Sequence, residues 1–390
     1  MPKIDLYTVR DQDNFVFDNF LDNINLIEVA DLNQLWNQDH HYVVLNRNKI
    51  LSPHNTVING IDNNIREFLS ANSKNKVIIN DYHEVSKGHY DFLKKYDLLK
   101  FADNRQLLII ATDMPNDGFC GIDMHLPIIV SPQNIAISLQ NFEKIYEKTN
   151  KPYTFSCYNG RASSHRVVLI EMLSQSGALD NALWSLNSTN FDTAYIREMY
   201  GISPSLDHVR LHSVPDEYEH YKNIVQNNIW GTDIHDIKKV WGADDHLVKP
   251  MVPNLYIDTY FTVITETNYE IGVQPLTEKI WRPILMGHPF ISVTTPYYYK
   301  TLKKNGFKTF GSLIDESFDE IENPADRLKR TAETIISLSR MSLDGLNSFL
   351  KEARAICEHN REECLSRYGR QLLTNHTNMR NFLIKNFNYA

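Results

Sequence analysis

The first 150 residues alternate short, continuous apolar runs with stretches whose apolar residues recur at helical spacing. IDLYTV (4–9), HYVVLN (41–46), KVIIND (76–81), QLLIIAT (106–112) and LPIIV (126–130) are rich in β-branched residues and bounded by polar turns. Strands buried on both faces of a sheet have this pattern. Between them, NNIREFLSANS (63–73) and GHYDFLKKYDLLKF (88–101) place apolar residues on one helical face. Strand, helix and strand in succession predict an open parallel α/β sheet.

A further helix starts at Ser131-Pro132 and runs to about Thr149, where Asn150-Lys151-Pro152 interrupts it. YTFSCY (153–158) then opens a new strand, which places a domain boundary at 150/151. The second half repeats the α/β logic with a helix near 164–176, a strand at 259–265, a helix at 277–287 and a strand at 289–293. From about residue 325 the pattern is mostly helical. The expected organisation is an α/β lobe over 1–150, a second over 151–340 and C-terminal helices over 341–390, with the site in a cleft between the lobes.

Composition narrows the possibilities. The 390 residues are 42% hydrophobic and 23% charged, as in a globular protein with real cores. A net charge of −8 announces neither nucleic acid nor an anionic membrane, so any polyanion would have to meet a local basic patch. The chain has no apolar run of about 18 residues and its first residues enter a strand directly, so neither a transmembrane helix nor a signal peptide is expected. Four scattered cysteines, Cys120, Cys157, Cys357 and Cys364, read as thiols of a reducing compartment. Cys357, His359 and Cys364 lie in what reads as an exposed helix, without the close pairing of a zinc site.

The densest candidate chemistry lies in YFTVITETNYEIGVQPLTEKIWRPILMGHPFISV (260–293). A buried strand ends in Glu266-Thr267-Asn268, polar groups at the carboxyl end, where open α/β sheets bind ligands. After a loop punctuated by Gly272 and Pro275, a helix begins at Thr277, a good N-cap, with Glu278 and Lys279 in its first turn. Such a start favours phosphate through free N–H groups and the helix dipole. Lys279 adds a mobile positive charge, and Glu278 can accept bonds from ribose hydroxyls. The plain alternative is a capped surface helix. In SCYNGRASSHRVVLIEML (156–173) a strand leads through Asn159-Gly160-Arg161 into a helix with His165 and Arg166 early in it. This is a second anion site or, alternatively, a solvated basic turn.

The pattern strand, Glu-x-[Ser/Thr/Asn], loop, Thr-Glu-Lys, helix, Gly-x-Pro, strand resembles the donor-binding signature of the α-1,3-fucosyltransferase-like glycosyltransferases. The stretch 288–330, with GFKTF at Gly306 to Phe310 and IDESFD at Ile314 to Asp319, further resembles glycosyltransferases of tailed phages and large DNA viruses. The resemblance covers roughly residues 153–330. It implies a GT-B-like fold of two Rossmann-like lobes, with Arg166 and Lys279 on the donor diphosphate, Glu278 on the ribose and Glu266 lining the sugar pocket. Arg161, His165, Thr267 and Thr277 complete the implied nucleotide-sugar site. It also implies an inverting reaction whose general base is a carboxylate of the N-terminal lobe, near the carboxyl end of a strand. Glu84 is the first choice, ahead of Asp81 and Asp113, while His83 shares the same loop.

Asp11-Gln12-Asp13 follows a strand as a metal-binding Asp-x-Asp would, but reads as a loop because it comes before a sheet has been built, so no essential metal or cofactor is expected beyond the nucleotide sugar as co-substrate. Tyr297 to Tyr299 with Lys300, Lys303, Lys304 and Lys308 read as a helix with a solvated lysine face rather than a nucleic-acid surface. Richness in Asn, Lys, Ile and Tyr fits an AT-rich phage genome. The specific expectation is transfer of arabinose or glucose from a UDP donor to 5-hydroxymethylcytosine in double-stranded DNA, in the host cytoplasm and away from membranes. A glycan- or lipid-directed transferase and a non-catalytic nucleotide-sugar-binding scaffold are the alternatives.

Overall fold

The computed structural model describes residues 4–9, 24–29, 32–36, 42–46, 61–81, 93–111, 119–121, 130, 132–159, 162–186, 192–202, 212–213, 251–267, 269 and 276–387. The chain divides into two compact units, residues 1–124 with 369–390, and residues 125–368. Both are α/β.

In the first unit, strands β1 (Ile4–Val9), β2 (Ile24–Val29), β3 (Tyr42–Asn46), β4 (Lys76–Asp81), β5 (Leu107–Ala111) and β6 (Phe119–Gly121) form a six-stranded sheet in the order β2-β1-β3-β4-β5-β6. Every pairing is parallel. Val43 and Leu45, Val77 and Ile79, and Leu107 and Ile109 alternate onto one face. There they pack with Ile65, Phe68 and Leu69 of helix α2 (Ile61–Ala71), which share a helical face at i, i+3 and i+4. Val44, Ile78, Leu108 and Ile110 point the other way and are equally buried, so the continuous apolar runs are strands covered on both faces.

Sequence and structure part in three places here, and a further expectation lies largely outside the described residues. The helix expected over 88–101 is broken where it is described: Asp97 has φ 55°, Leu98 N–H bonds the carbonyl of Leu93 at 2.8 Å, and a new helix α3 (Leu99–Asp103) follows. The break lets Leu93, Leu98 and Phe101 all reach the core, and Asp tolerates the left-handed turn. Strands β2 and β6, with the short helix α1 (Leu32–Leu35) after β2, have no counterpart in the sequence reading. The expected strand at 126–130 falls outside the described residues except for Val130. Finally, β1 is an interior strand, paired on both sides, so Asp11 and Asp13, themselves outside the described residues, follow an already central element.

The second unit begins with α4 (Pro132–Glu147) and carries strands β7 (Tyr153–Asn159), β8 (Ala182–Leu186), β9 (His212–Ser213), β10 (Thr259–Thr265) and β11 (Phe290–Val293). Their order is β11-β10-β7-β8-β9, parallel except for the β8–β9 pair. The helices are α5 (Ser164–Gln175), α6 (Thr193–Tyr200), α7 (Asn254–Ile257), α8 (Glu278–Met286), α9 (Tyr298–Lys304), α10 (Pro324–Ser339) and α11 (Leu343–Phe387). Capping follows the sequence: Asp192 accepts from the N–H groups of Ala194 and Tyr195 to start α6, and Asn323 does the same for Ala325 and Asp326, ahead of Pro324 at the first turn of α10.

Helix α4 lies before the 150/151 boundary but belongs to the second unit. Its Ser138 and Tyr146 hydroxyls each donate at 2.6 Å to the carbonyls of Leu285 and Gly287, at the end of α8. The expected C-terminal helices are one helix of 45 residues, whose part from Gly369 onward groups with the first unit. Cys357 and Cys364 sit on its buried side rather than an exposed one, while half-buried His359 bonds the Gly306 carbonyl at 2.9 Å. Among the described residues no helix is long and apolar enough to cross a membrane.

Two tests follow from this packing. Gly287 ends α8 at φ 67°, and a Cβ there would stand 2.3 Å from the Phe142 ring. Gly287→Ala is expected to destabilise the fold by about 1–3 kcal/mol in urea unfolding. At the amino ends of β7 and β10, buried Lys151 donates to the Ile257 carbonyl at 2.6 Å, and burial lowers its pKa to about 7. The unfolded chain therefore holds this proton up to its ordinary pKa while the folded protein releases it near pH 7. Stability should rise with pH above about 7, and Lys151→Met should flatten that rise in unfolding curves taken from pH 6 to pH 9.

Candidate functional site

Strands β7 and β10 are parallel neighbours, with Phe155 beside Phe261 and Ser156 beside Thr262. From β7 the chain goes on to β8 on one side, whereas β10 pairs with β11 on the other. The loops leaving the two carboxyl ends thus serve opposite sides of the sheet, the switch point at which open α/β sheets form ligand crevices. Asn159, fully buried as the last residue of β7, fixes this edge. Its amide donates to the Ser185 carbonyl at 3.0 Å and accepts from the Thr265 hydroxyl at 2.6 Å, tying together the ends of β8, β7 and β10.

Glu266 comes next after β10 and is 0% exposed. The Thr277 hydroxyl donates to its two carboxylate oxygens at 2.7 and 2.8 Å, Lys279 Nζ lies 3.4 Å away, and the Tyr298 hydroxyl lies at 3.5 Å. Thr277 in turn caps α8, accepting from the Lys279 N–H at 3.3 Å. Burial and the Glu266 charge hold the Tyr298 pKa well above its ordinary value, so this hydroxyl remains a donor. Lys279 Nζ also stands 3.2 Å from Glu278, so two carboxylates hold a lysine that keeps some contact with solvent.

The start of α5 is fastened to the same strand end. Arg166 Nη2 donates to the Thr265 carbonyl at 2.8 Å, and His165 Nε2 lies 3.0 Å from the Glu266 carbonyl. Burial and the adjacent Arg166 lower the His165 pKa to about 3, so the ring is neutral with its proton on Nε2, donated to that carbonyl. Nδ1 faces the Ser163 hydroxyl at 3.5 Å, and the ring stacks on Tyr269 with centroids 4.8 Å apart.

The structure therefore brings His165, Arg166, Glu266, Thr277, Glu278 and Lys279 together around one switch point. Thr267 follows on the exposed side. Solvent reaches Thr267, Thr277, Glu278 and Lys279, whereas His165, Arg166 and Glu266 are buried and hold the others in place. Arg161, Glu84 and Asp113 lie outside the described residues, as does His83, and Asp81 is placed only as the last residue of β4. Asn159, Tyr269, Tyr298 and Arg327 enter the network without having been singled out for it. A polar residue closing an apolar strand was the available signal for Asn159.

Of the Tyr297 to Tyr299 cluster, Tyr298 and Tyr299 are core residues and only Tyr297 is exposed, at 41%. The lysines at 300, 303, 304 and 308 are exposed, and Lys303 pairs with Glu316 at 3.6 Å. Among the described residues no group of three or more His, Cys, Asp or Glu is placed to hold a metal ion. No protein-family model matches the chain, and a search of curated proteins gives no significant match.

Replacing Glu266 by Ala would take the shared acceptor from the Thr277 hydroxyl, Lys279 and the buried Tyr298 hydroxyl. Glu266→Ala is expected to cost about 2–4 kcal/mol in thermal or urea unfolding, and Glu266→Gln, which still accepts from Thr277, distinctly less.

Proposed function

We propose that the chain is a glycosyltransferase whose nucleotide-sugar donor binds at the β7–β10 switch point of the second unit. The observation that carries the reading is the shared anchoring of two helix starts, α5 with Arg166 and α8 with Thr277-Glu278-Lys279, on the single residue pair Thr265-Glu266. Helix N-termini with adjacent cations suit a diphosphate. Lys279 is the mobile cation, and a phosphate oxygen is a natural replacement for one of its carboxylate contacts. Glu278, partly exposed beside it, is placed to accept from a ribose hydroxyl. Glu266, enclosed by its own donors, acts by positioning Thr277 and Lys279 rather than by touching the sugar.

In this reading the two α/β units are the lobes of a GT-B transferase, and the first supplies the general base. Asp81 and Glu84 come at and after the end of β4, and Asp113 after β5, the neighbouring parallel strand. A base so placed would take the proton from the acceptor hydroxyl as it attacks the anomeric carbon, while the nucleoside diphosphate leaves with its charge held by Lys279 and the helix starts. The acceptor we favour is hydroxymethylated cytosine in DNA, with a UDP-linked arabinose or glucose as donor.

Calorimetry with UDP-, GDP- and CMP-sugars should find one nucleotide bound, with Lys279→Ala weakening it by about tenfold or more. Binding of none of them, or binding indifferent to Lys279→Ala, would sink the donor site. Incubation of hydroxymethylcytosine DNA with the bound sugar nucleotide, followed by mass analysis of nucleosides, should reveal a glycosylated base. Donor binding without any adduct would favour a glycan or lipid acceptor, or a binding scaffold.

A further inference from the structure

Arg327, in the first turn of α10, is 1% exposed. Its guanidinium is spread over main-chain carbonyls: Nε donates to Thr294 at 2.9 Å, Nη1 to Ile321 and Glu322 at 2.7 and 2.9 Å, and Nη2 to Tyr269 at 2.6 Å. Thr294 is the first residue after β11, Tyr269 lies in the loop after β10, and Ile321 and Glu322 lead into α10. The guanidinium carbon also lies 4.5 Å from the centroid of the Tyr269 ring. That ring stacks on His165, and its hydroxyl donates to the Pro324 carbonyl at 3.0 Å.

A buried cation is costly, and an apolar side chain of similar volume would fill the same space without that cost. What the guanidinium adds is a rigid planar fork that fixes several carbonyls at once, which neither a lysine nor an apolar residue can do. Two of the carbonyls it fixes belong to the segments that follow two adjacent strands, β10 and β11. Through Tyr269 and His165 the same contact reaches the start of α5, after β7.

We propose that Arg327 is a positioning residue for the anion site: by clamping the carboxyl-end segments of β10 and β11, and α5 through Tyr269 and His165, it sets Lys279 and the starts of α5 and α8 around one ligand. The proposal rests on the nucleotide-sugar reading of that site. Ligand binding depends on it because cationic groups displaced by about 1 Å lose much of their effect on a bound phosphate.

The test is calorimetric titration of the full chain with UDP, or with whichever nucleotide the wild type binds, alongside thermal unfolding of each variant. At temperatures well below their unfolding midpoints, Arg327→Lys and Tyr269→Leu should bind at least about tenfold more weakly, while Tyr269→Phe, which keeps the stacking ring, should stay within about twofold of wild type. Wild-type affinity in Arg327→Lys and Tyr269→Leu, whatever their loss of thermal stability, would overturn the proposal and leave Arg327 a stabiliser of the fold. Should the Arg327 variant fail to fold, equal affinity of Tyr269→Leu and wild type would overturn it alone. A wild-type protein that binds no nucleotide is a different outcome, removing the donor site and this proposal with it.

Discussion

The Glu266 carboxylate has no contact with solvent, and its burial is tolerable only because hydroxyls and an ammonium converge on it. That requirement reaches far beyond one side chain. Thr277 must turn its hydroxyl toward Glu266 while its oxygen still caps α8, which fixes where that helix begins. Lys279 must lie back along the first turn, so its charge is held at the strand end rather than lost in solvent. The main-chain carbonyl of Glu266 anchors His165, and so the same residue positions a second helix on the neighbouring strand.

Parallel topology explains why these demands meet in one place. In a sheet ordered β11-β10-β7-β8-β9, the ends of β7 and β10 are adjacent, yet the chain leaves them toward opposite sides. The gap between departing loops must be closed by side chains or by a ligand. Here Asn159 closes its floor by bridging three strand ends, and the helix starts stand above it. The sheet below is rigid because strands such as β8 and β11 are buried throughout their length.

The cations of this region divide by burial. Arg166 and Arg327 are almost wholly enclosed and donate to main-chain carbonyls, whereas Lys279 is partly exposed and bound by carboxylates. Guanidinium groups suit the first task because their donors have fixed directions, and an ammonium on a flexible stem suits the second. A chain of net charge −8 thus gathers three cationic side chains around one strand junction.

Much of this arrangement was legible in the chain. Continuous apolar runs such as KVIIND and YTFSCY announced strands covered on both faces, because a parallel sheet leaves no side for water. Thr277 before Glu278 and Lys279 announced a helix start, because capping is local chemistry. Other features needed the folded molecule. The break at Asp97 is invisible to periodicity, since the apolar residues on both sides of it still face one core. Helix α4 reads as the end of the first half, yet its Ser138 and Tyr146 find their acceptors at the end of α8, well over a hundred residues on. Nothing near Glu266 in sequence says that it is enclosed, nor that Arg327, 58 residues beyond Tyr269, holds the Tyr269 carbonyl. Local patterning determined the strands with continuous apolar runs and the capped start of α8. The tertiary structure alone decided which strand ends lie side by side, because pairing and burial depend on residues far apart in the chain.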